Sequence, residues 1–385
     1  MTDEYRQLLN LLRSSEAAGT VVRDIERLSR GIDNVKIVHV CGTHEHTISR
    51  FGIRLILPKN VKLIAGPGCP VCITPASEID AVIELALSGV AVLTFGDMLR
   101  VPGSELSLFQ ARSRGADVRV VYSFLDAIKV ARSEPSREFV FFAIGFETTA
   151  ATVAPYIALG KVPENLSLFV SHRLIPPAME FMSLLRHGAD AYIAPGHVST
   201  IIGCKPYEVF PKVYRQSVVI AGFEPLDVLL AVKTILDLTK RGDVKLVNEY
   251  SRAVRYEGNV LALKYMYRVF EVVDGAWRGI GVIPQSKLCL RSEYRRYDAV
   301  ERYGISIRRG IDVRPGCRCG DVIVGRAVPT DCPYFAKVCT PNNPLGPCMV
   351  SMEGTCRIWY QFERTRGGEV SERERATEYL YNSSS

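Results

Sequence analysis

The sequence has no stretch that reads as a membrane span. The nearest candidate, residues 139–160, carries Glu147 as its single charge over roughly the 20 residues a bilayer requires. Its first part, FVFFAIG, is aromatic and β-branched and ends in glycine, whereas the following ETTAATVAPYIAL has helical spacing. The stretch therefore reads as a buried strand, a turn and a helix. The opening MTDEYRQLLN is charged and lacks the apolar core of a signal peptide, so a cytoplasmic location is expected. No RRM, KH, zinc-finger or helix-turn-helix pattern accompanies the net charge of +7, and nucleic acid is not expected as a partner. The lysine of a P-loop is missing. In Gly66-Pro-Gly-Cys69 the third glycine of a dinucleotide fingerprint is replaced by Val71, so neither nucleotide motif survives. There is no Gly-X-Ser-X-Gly elbow, which weakens serine hydrolysis, and no second Cys-X-X-Cys to complete a zinc site with Cys69 and Cys72.

What the chain does have is eleven cysteines in 385 residues. They are too few for a disulfide-dense mini-protein and odd in number. In a reducing compartment they imply metal, cluster or thiol chemistry rather than structural staples. With 47% hydrophobic and 23% charged residues the composition is that of an ordinary globular protein, and at about 150 residues per domain two to three domains are expected. The basic surplus is uneven: residues 287–314 hold eight Lys/Arg against four Asp/Glu, a net +4 of the total +7. Without nucleic-acid motifs, that stretch reads as a collar beside an acidic cofactor or a docking face for an acidic protein.

From about residue 35 to 240, short apolar runs alternate with amphipathic stretches of helical length. Strands are predicted at 35–40, 61–65, 90–95, 117–122, 138–144, 166–171, 191–194 and 217–221. The alternation predicts an α/β fold with parallel sheets covered by helices. The polar Ser133-Glu-Pro-Ser-Arg137 stretch serves as a boundary. The expected organisation is two Rossmann-like parallel-sheet lobes, 1–132 and 133–243, followed by a small helical and irregular cysteine-rich domain, 244–385. The triplet Gly145-Phe-Glu147 is echoed by Gly222-Phe-Glu224, each after a strand. Beyond 240 a mostly helical stretch is expected to lead into the basic collar. Six of the eleven cysteines then fall between 317 and 356, and the charged segment after 362 reads as a frayed helix.

In open parallel sheets, ligands bind at the carboxyl ends of strands, and the unusual residues sit there. Cys41, His44 and His46 offer one thiolate and two imidazoles, a set suited to iron, zinc or copper; the competing reading is a core cysteine followed by helix-capping histidines. His39 lies inside the strand as a core or supporting residue. Cys69-Pro-Val-Cys72 has the spacing of a reversible disulfide, with half a zinc site as the competing reading. Gly145-Phe-Glu147-Thr148-Thr149 opens a helix, where ordinary capping would also place Glu and Thr. At His197 and Ser199 the histidine is suited to moving a proton and the serine to bonding an anion. Cys204 and Cys289 are isolated and read as inert. Cys332, Cys339, Cys348 and Cys356 supply the four thiolates usual for a 4Fe-4S cluster; zinc normally takes tighter pairs. Cys317 and Cys319 are two further candidates, and spacing does not decide which four bind.

CGTHEH (41–46), GPGCPVC (66–72), GFETT (145–149), PGHVS (195–199) and CTPNNPLGPCMVSMEGTC (339–356) occur in this order and together resemble the HypD family of hydrogenase maturation proteins. The resemblance runs from about residue 30 to 360. It implies two α/β lobes plus an iron-sulfur domain, and a role with the small chaperone HypC in building the Fe(CN)2CO unit of nickel-iron hydrogenases, with HypE delivering cyanide. It also implies that Cys41 holds the nascent iron together with a HypC cysteine, with His44 close by. Cys69 and Cys72 would be the redox pair, and Glu147, Thr148, Thr149 and His197 would line the cleft. On this expectation the chain is an assembly scaffold with thiol redox activity rather than a conventional turnover enzyme. The alternative is a free-standing iron-sulfur disulfide reductase, and a third reading is a zinc hydrolase using Cys41, His44 and His46.

Overall fold

The computed structural model describes residues 10–185 and 188–363, so the frayed helix expected after 362 lies, but for Glu363, outside the described residues, as does the histidine at 187. Eleven strands follow in chain order: β1 (Val35–His39), β2 (Val61–Ala65), β3 (Ala91–Thr94), β4 (Val118–Val120), β5 (Phe139–Gly145), β6 (Leu166–His172), β7 (Ala191–Pro195), β8 (Ser217–Ala221), β9 (Leu246–Asn248), β10 (Phe270–Trp277) and β11 (Gly281–Leu290). The eight expected strands are β1 to β8.

The chain divides into two compact units, one holding the chain up to Gly68, Met179–Gly258 and the chain from Ile358, the other Cys69–Ala178 and Asn259–Arg357. In the first unit an all-parallel sheet has the order β2-β1-β7-β8-β9. Helix Ser15–Ser29 starts at Ser14, whose hydroxyl accepts from the Ala17 N–H, and repeats buried residues at Ala18, Val21, Ile25 and Leu28. That stripe packs on helix Pro225–Arg241, which contributes Val228, Leu229, Val232, Ile235 and Leu236 to the same core. Proline at the start of this second helix and Gly242 in the left-handed region at its end fix its limits.

The second unit is built on a parallel sheet of order β4-β3-β5-β6. All seven residues of β5 are buried, because helices cover both faces of an interior strand; this explains the membrane-like run. Helices Phe124–Ser133 and Glu147–Ala158 lay Phe124, Ala127, Ile128, Ala150, Val153 and Ile157 on the sheet. Helix Val260–Val269 adds Met266 and Val269.

Three expectations are corrected here. The boundaries at 133 and 244 do not separate the units, because β1 pairs with β7 while β3 pairs with β5, so sheet membership is interleaved along the chain. The stretch after 240 is not mostly helical. Its helix stops at Val269, and the β-branched FEVVDGAW pairs antiparallel with β11 across a bulge between Val273 and Gly275. Finally, the cysteine-rich segment forms no third unit but belongs to the second, as short helices Cys319–Ile323 and Pro347–Val350 and the start of Thr355–Phe362.

Phe141, fully buried in β5 against Phe95 and Phe124, tests the second core. Phe141→Ala is expected to lower unfolding free energy in urea by about 3–5 kcal/mol, whereas Tyr122→Ser, at a ring 90% exposed, should change it by less than about 0.5 kcal/mol.

Candidate functional site

In the first unit the carboxyl edge of the sheet gathers four chain segments. β1 runs through Val40 to Cys41, the extended N-cap of helix Gly42–Arg50. Cys41 is buried and outside any disulfide. After β2, Gly66-Pro67-Gly68 folds back on it: the Gly66 N–H donates to the His39 carbonyl at 2.8 Å, and the Gly42 N–H to the Gly68 carbonyl at 3.3 Å. A Cβ on Gly68 would overlap the backbone of Cys41, so only glycine allows this approach. From β8 comes Gly222-Phe223, clamped by helix Gly42–Arg50. His44 Nε2 lies 2.8 Å from the Gly222 carbonyl, and Thr47 Oγ1 donates to the Phe223 carbonyl at 2.7 Å.

A carbonyl only accepts, so His44 carries its hydrogen on Nε2, and its Nδ1 keeps a buried lone pair with no hydrogen-bond partner. Burial, with His39 nearby, lowers its pKa to about 3, so the ring is neutral at physiological pH. The Phe223 ring packs between His44, 5.0 Å away, and His197, which stacks on it at 3.9 Å. His197 is exposed on its other side, and the desolvated face lowers its pKa. Ser199 does not offer an anion site: its hydroxyl is engaged with the Pro195 carbonyl and the Tyr207 hydroxyl. His46, two residues from His44 on the helix, packs edge-on to Phe362 and lines a cavity of about 360 Å³ with Arg13, Arg50 and Glu224. Among the described residues no three Cys, His, Asp or Glu side chains converge as a ready metal shell, so CGTHEH does not present Cys41, His44 and His46 as one.

Beneath this edge lies Glu45, which the sequence reading passed over although it sits inside the motif. Its carboxylate is 2.7 Å from His39 Nε2 and accepts from Arg54 (2.6 and 3.0 Å), Ser49 and Trp359 Nε1 (2.7 Å). Burial alone would raise its pKa, but Arg54 and His39 hold it well below the carboxylate range. The helix bearing Cys41 and His44 is thus pinned by a permanently ionised, fully bonded carboxylate.

The second unit holds the other expected residues. Cys69 and Cys72 are joined in a disulfide around the one-turn helix Pro70–Ile73 and are both buried. That helix packs on the short helix Pro347–Val350, which carries Cys348. It also packs on β5, which leads into Glu147. Glu147 Oε1 accepts from the Ile175 N–H at 2.9 Å while Oε2 has no partner, and burial pushes its pKa up to about 7. Thr148 and Thr149 are half-buried; Gly145, at φ +147°, leaves room for the Thr149 side chain over the strand end. His172, in register with Gly145, is buried with neither ring nitrogen partnered, and desolvation lowers its pKa to about 3. A buried Glu78 is held by Arg173 and Lys287 at 2.9 and 2.7 Å and by Ser171. Burial opposes its ionisation, but the two cations bring its pKa to about 2. Arg173 and Lys287 have no local sequence signature, since they reach Glu78 across 95 and 209 residues.

The six clustered cysteines come together in this unit. The Cys317 thiol donates to Cys319 Sγ at 3.3 Å, Cys319 bonds with Cys356, and the Cys356 N–H donates to Cys348 Sγ at 3.4 Å. Cys332 and Cys339 lie in electrostatic reach of the same group. The Cys317 thiol, together with the bond to Cys356, holds the Cys319 pKa well below that of a free thiol. Gly346 borders the cluster: a Cβ there would stand 2.7 Å from Cys319 Sγ and 3.8 Å from Cys317 Sγ. Clustered thiols are the donor type that an iron-sulfur cluster takes, and at Gly346 no side chain crowds Cys319 and Cys317. Cys204 is buried and Cys289 half-buried, apart from these groups.

A family model described as "HypD: Hydrogenase formation hypA family" matches residues 16–363. The chain belongs to the HypD family. It is 50% identical over 345 residues to a Methanocaldococcus jannaschii protein provisionally named for hydrogenase expression and formation, covering 88% of this chain and 95% of that one. It is 45% identical to hydrogenase maturation factor HypD2 of Bradyrhizobium diazoefficiens, covering 86% and 90%, and 41% identical to hydrogenase maturation factor HypD of Escherichia coli, covering 94% and 98%. Of the residues expected to form the HypD site, Cys41, His44 and His197 belong to the first unit. Cys69, Cys72, Glu147, Thr148, Thr149 and the six clustered cysteines belong to the second. Among the described residues no helix is long and apolar enough to cross a membrane.

Glu147 gives a pH signature. Its folded pKa of about 7 lies above the ordinary carboxylate value of 4.5, so its contribution to stability is full below 4.5 and is lost as pH rises through 7. Urea denaturation from pH 4.5 to 7.5 is expected to show a stability loss in the wild type that is smaller in Glu147→Gln.

Proposed function

We propose that this chain is a hydrogenase maturation scaffold in the cytoplasm. With a HypC-type small chaperone it binds iron and assembles the Fe(CN)2CO unit of nickel-iron hydrogenase, and cyanide arrives from a HypE-type donor. The observation that carries this reading is the setting of Cys41: a buried thiol on the residue that starts the helix whose third residue is a neutral histidine, at the carboxyl edge of a parallel sheet. Iron bearing cyanide and carbon monoxide calls for soft thiolate anchoring, and Cys41 would supply one such ligand and the chaperone another. His44 stays uncharged and bonded to Gly222, so it adds no cation beside the incoming iron. Cyanide nitrogens accept hydrogen bonds, and the exposed ring of His197, at the same sheet edge as Cys41, is a donor suited to them.

The Cys69–Cys72 pair would carry the redox chemistry. Reducing its disulfide takes up two electrons and two protons and yields two thiols, which return both on reoxidation. Glu147, with a pKa near neutrality, is suited to hold or release one of those protons. Cys332, Cys339, Cys348 and Cys356 would hold a 4Fe-4S cluster, with Cys317 or Cys319 replacing one of them. Such a cluster, when bound, supplies electrons. The packing of the Cys348 helix on the Cys72 helix supports this pairing of disulfide and cluster.

The same packing favours a second reading, since disulfide and thiol cluster share one unit: an iron-sulfur disulfide reductase that needs neither Cys41 nor His44. The two readings part at Cys41. For the scaffold, Cys41→Ala, Cys69→Ala and Cys72→Ala should each abolish hydrogenase maturation while circular dichroism and thermal unfolding stay near wild type. Infrared bands of bound CO and cyanide, present on the protein co-purified with its chaperone, should vanish in Cys41→Ala. Full maturation by Cys41→Ala would sink the scaffold reading, and steady-state disulfide reduction untouched by that substitution would establish the reductase. Anaerobic purification should give brown protein with about four iron and four sulfide per chain, the content of one 4Fe-4S cluster.

A further inference from the structure

Glu363 follows helix Thr355–Phe362 within the first unit, and its N–H donates to the Trp359 carbonyl at 2.8 Å. This segment grips the helix that bears Cys41: the Trp359 indole bonds to Glu45, and Phe362 packs edge-on to His46. Beside these contacts three side-chain oxygens converge. Glu363 Oε1 stands 2.6 Å from Ser49 Oγ, and Ser49 Oγ stands 3.0 Å from Glu45 Oε1. Arg54 Nη1, from the one-turn helix Ile53–Ile56, lies within 3.0–3.1 Å of all three. Glu45 is 1% exposed and Glu363 20%, so two carboxyl groups share one guanidinium largely out of water.

Were both carboxyl groups ionised, the site would hold one negative charge in excess. One of the two oxygen–oxygen contacts would also lack a hydrogen, because Ser49 has a single one to give. His39 does not supply the difference, since a second hydrogen on its ring would sit on Nδ1, which is buried without a hydrogen-bond partner. Glu45 is already satisfied as an anion, with Arg54 donating to both its oxygens. The hydrogen therefore belongs on Glu363. Its O–H donates to Ser49 Oγ, Ser49 donates to Glu45, and both contacts are bridged. Burial raises the pKa of Glu363; Arg54 opposes the rise and Glu45 adds to it. The groups facing Glu363 are Ser49 and Glu45 from helix Gly42–Arg50 and Arg54 from helix Ile53–Ile56, with His39 of β1 behind Glu45 and His46 turned to Phe362. We propose that Glu363 is a positioning residue that carries a hydrogen at pH 7, and that the relay from Glu363 through Ser49 to Glu45 seats the helix of Cys41 and His44 in a pH-dependent way. Its functional meaning rests on the reading of Cys41 as the iron-anchoring thiol; the proton rests on the side-chain geometry alone. A carboxyl that binds its hydrogen more tightly in the folded chain stabilises the seated helix at low pH and loses that contribution as pH rises. The proton then leaves to solvent, two anions face one guanidinium, and the grip of Trp359 and Phe362 on the Cys41 helix weakens.

Infrared difference spectra of the full-length protein, wild type minus Glu363→Gln, read the proton directly, because a protonated carboxyl has a C=O stretch that neither a carboxylate nor an amide shares. Glu147 cancels in the difference. One carboxyl equivalent is expected at pH 7, fading by pH 9. Ser49→Ala removes the acceptor of that hydrogen, so wild type minus Ser49→Ala should show the same signal at pH 7, and the result does not depend on one variant folding. Positioning is read from iodoacetamide alkylation of Cys41, measured by mass spectrometry of its peptide. Each rate is divided by that of Glu363→Gln at the same pH, so that ionisation of the thiol cancels, and glutamine keeps an uncharged donor for Ser49 at every pH. The wild-type ratio is expected to be near one at pH 6 and to reach about threefold or more at pH 9, as a local opening would give. Glu363→Ala should react faster than Glu363→Gln at both pH values. Absence of the carboxyl signal at pH 7 in either difference overturns the proposal. A flat wild-type ratio, or equal rates in Glu363→Ala and Glu363→Gln, also overturns it and leaves Glu363 a packing role alone. Neither readout requires iron or a partner. Full maturation by Cys41→Ala would remove the scaffold reading yet leave both signals in place, so the two failures are told apart.

Discussion

Parallel pairing is the constraint from which the arrangement of both units follows. A strand that runs beside its neighbour in the same direction must be joined to it by a crossover, and every strand then ends at the same edge. In the first unit this rule gathers Cys41, Gly68, His197 and Gly222 at one edge, although they come from four strands spread over some 180 residues. No local motif could bring them together. The glycines complete the effect by letting backbone lie on backbone, as Gly68 does on Cys41, so that a thiol at a helix start is walled by main chain rather than by side chains that could rotate away.

Three buried glutamates illustrate how the molecule separates structural charge from chemistry. Glu45 and Glu78 are desolvated as completely as Glu147, yet each faces an arginine and further donors and stays ionised. Glu147 receives backbone N–H groups and no cation, and its second oxygen is left without a partner. The same residue type under the same burial therefore serves as a fixed anchor in two places and as a proton-holding group in the third. The difference is made by Arg54, Arg173 and Lys287, which come from a one-turn helix, a strand end and a strand elsewhere in the chain.

Much of the fold was legible because the signals were local. All eight strands of the 35–240 region lie where β-branched runs put them, and the run at 139–145 was separable from a membrane span by its glycine end. The partition into units was not legible, since nothing in the sequences of β1 and β7 says that they pair across the intervening β3 to β6. The hairpin β10–β11 was hidden because its first strand continues directly from a helix with no turn residue between Val269 and Phe270. At the sites, Cys41, Cys69, Cys72 and the clustered thiols announced themselves by residue type. Glu45, Trp359, Phe223 and Glu363 did not, because their importance lies in what they touch, and those partners are remote in sequence.

The interleaving also imposes an order on how the chain can mature as it is made. Ile37 of β1 pairs with Ala191 of β7, 154 residues later by the difference of their numbers. At roughly 5–20 residues per second of synthesis, β1 waits about 8–30 s for this neighbour. During that interval β7 and β8 have not been made, and Cys41 lacks its Gly222-Phe223 wall. The second unit's four strands are meanwhile emerging in uninterrupted succession. The wall around Cys41 is therefore completed only once β8 has been made, long after the thiol itself.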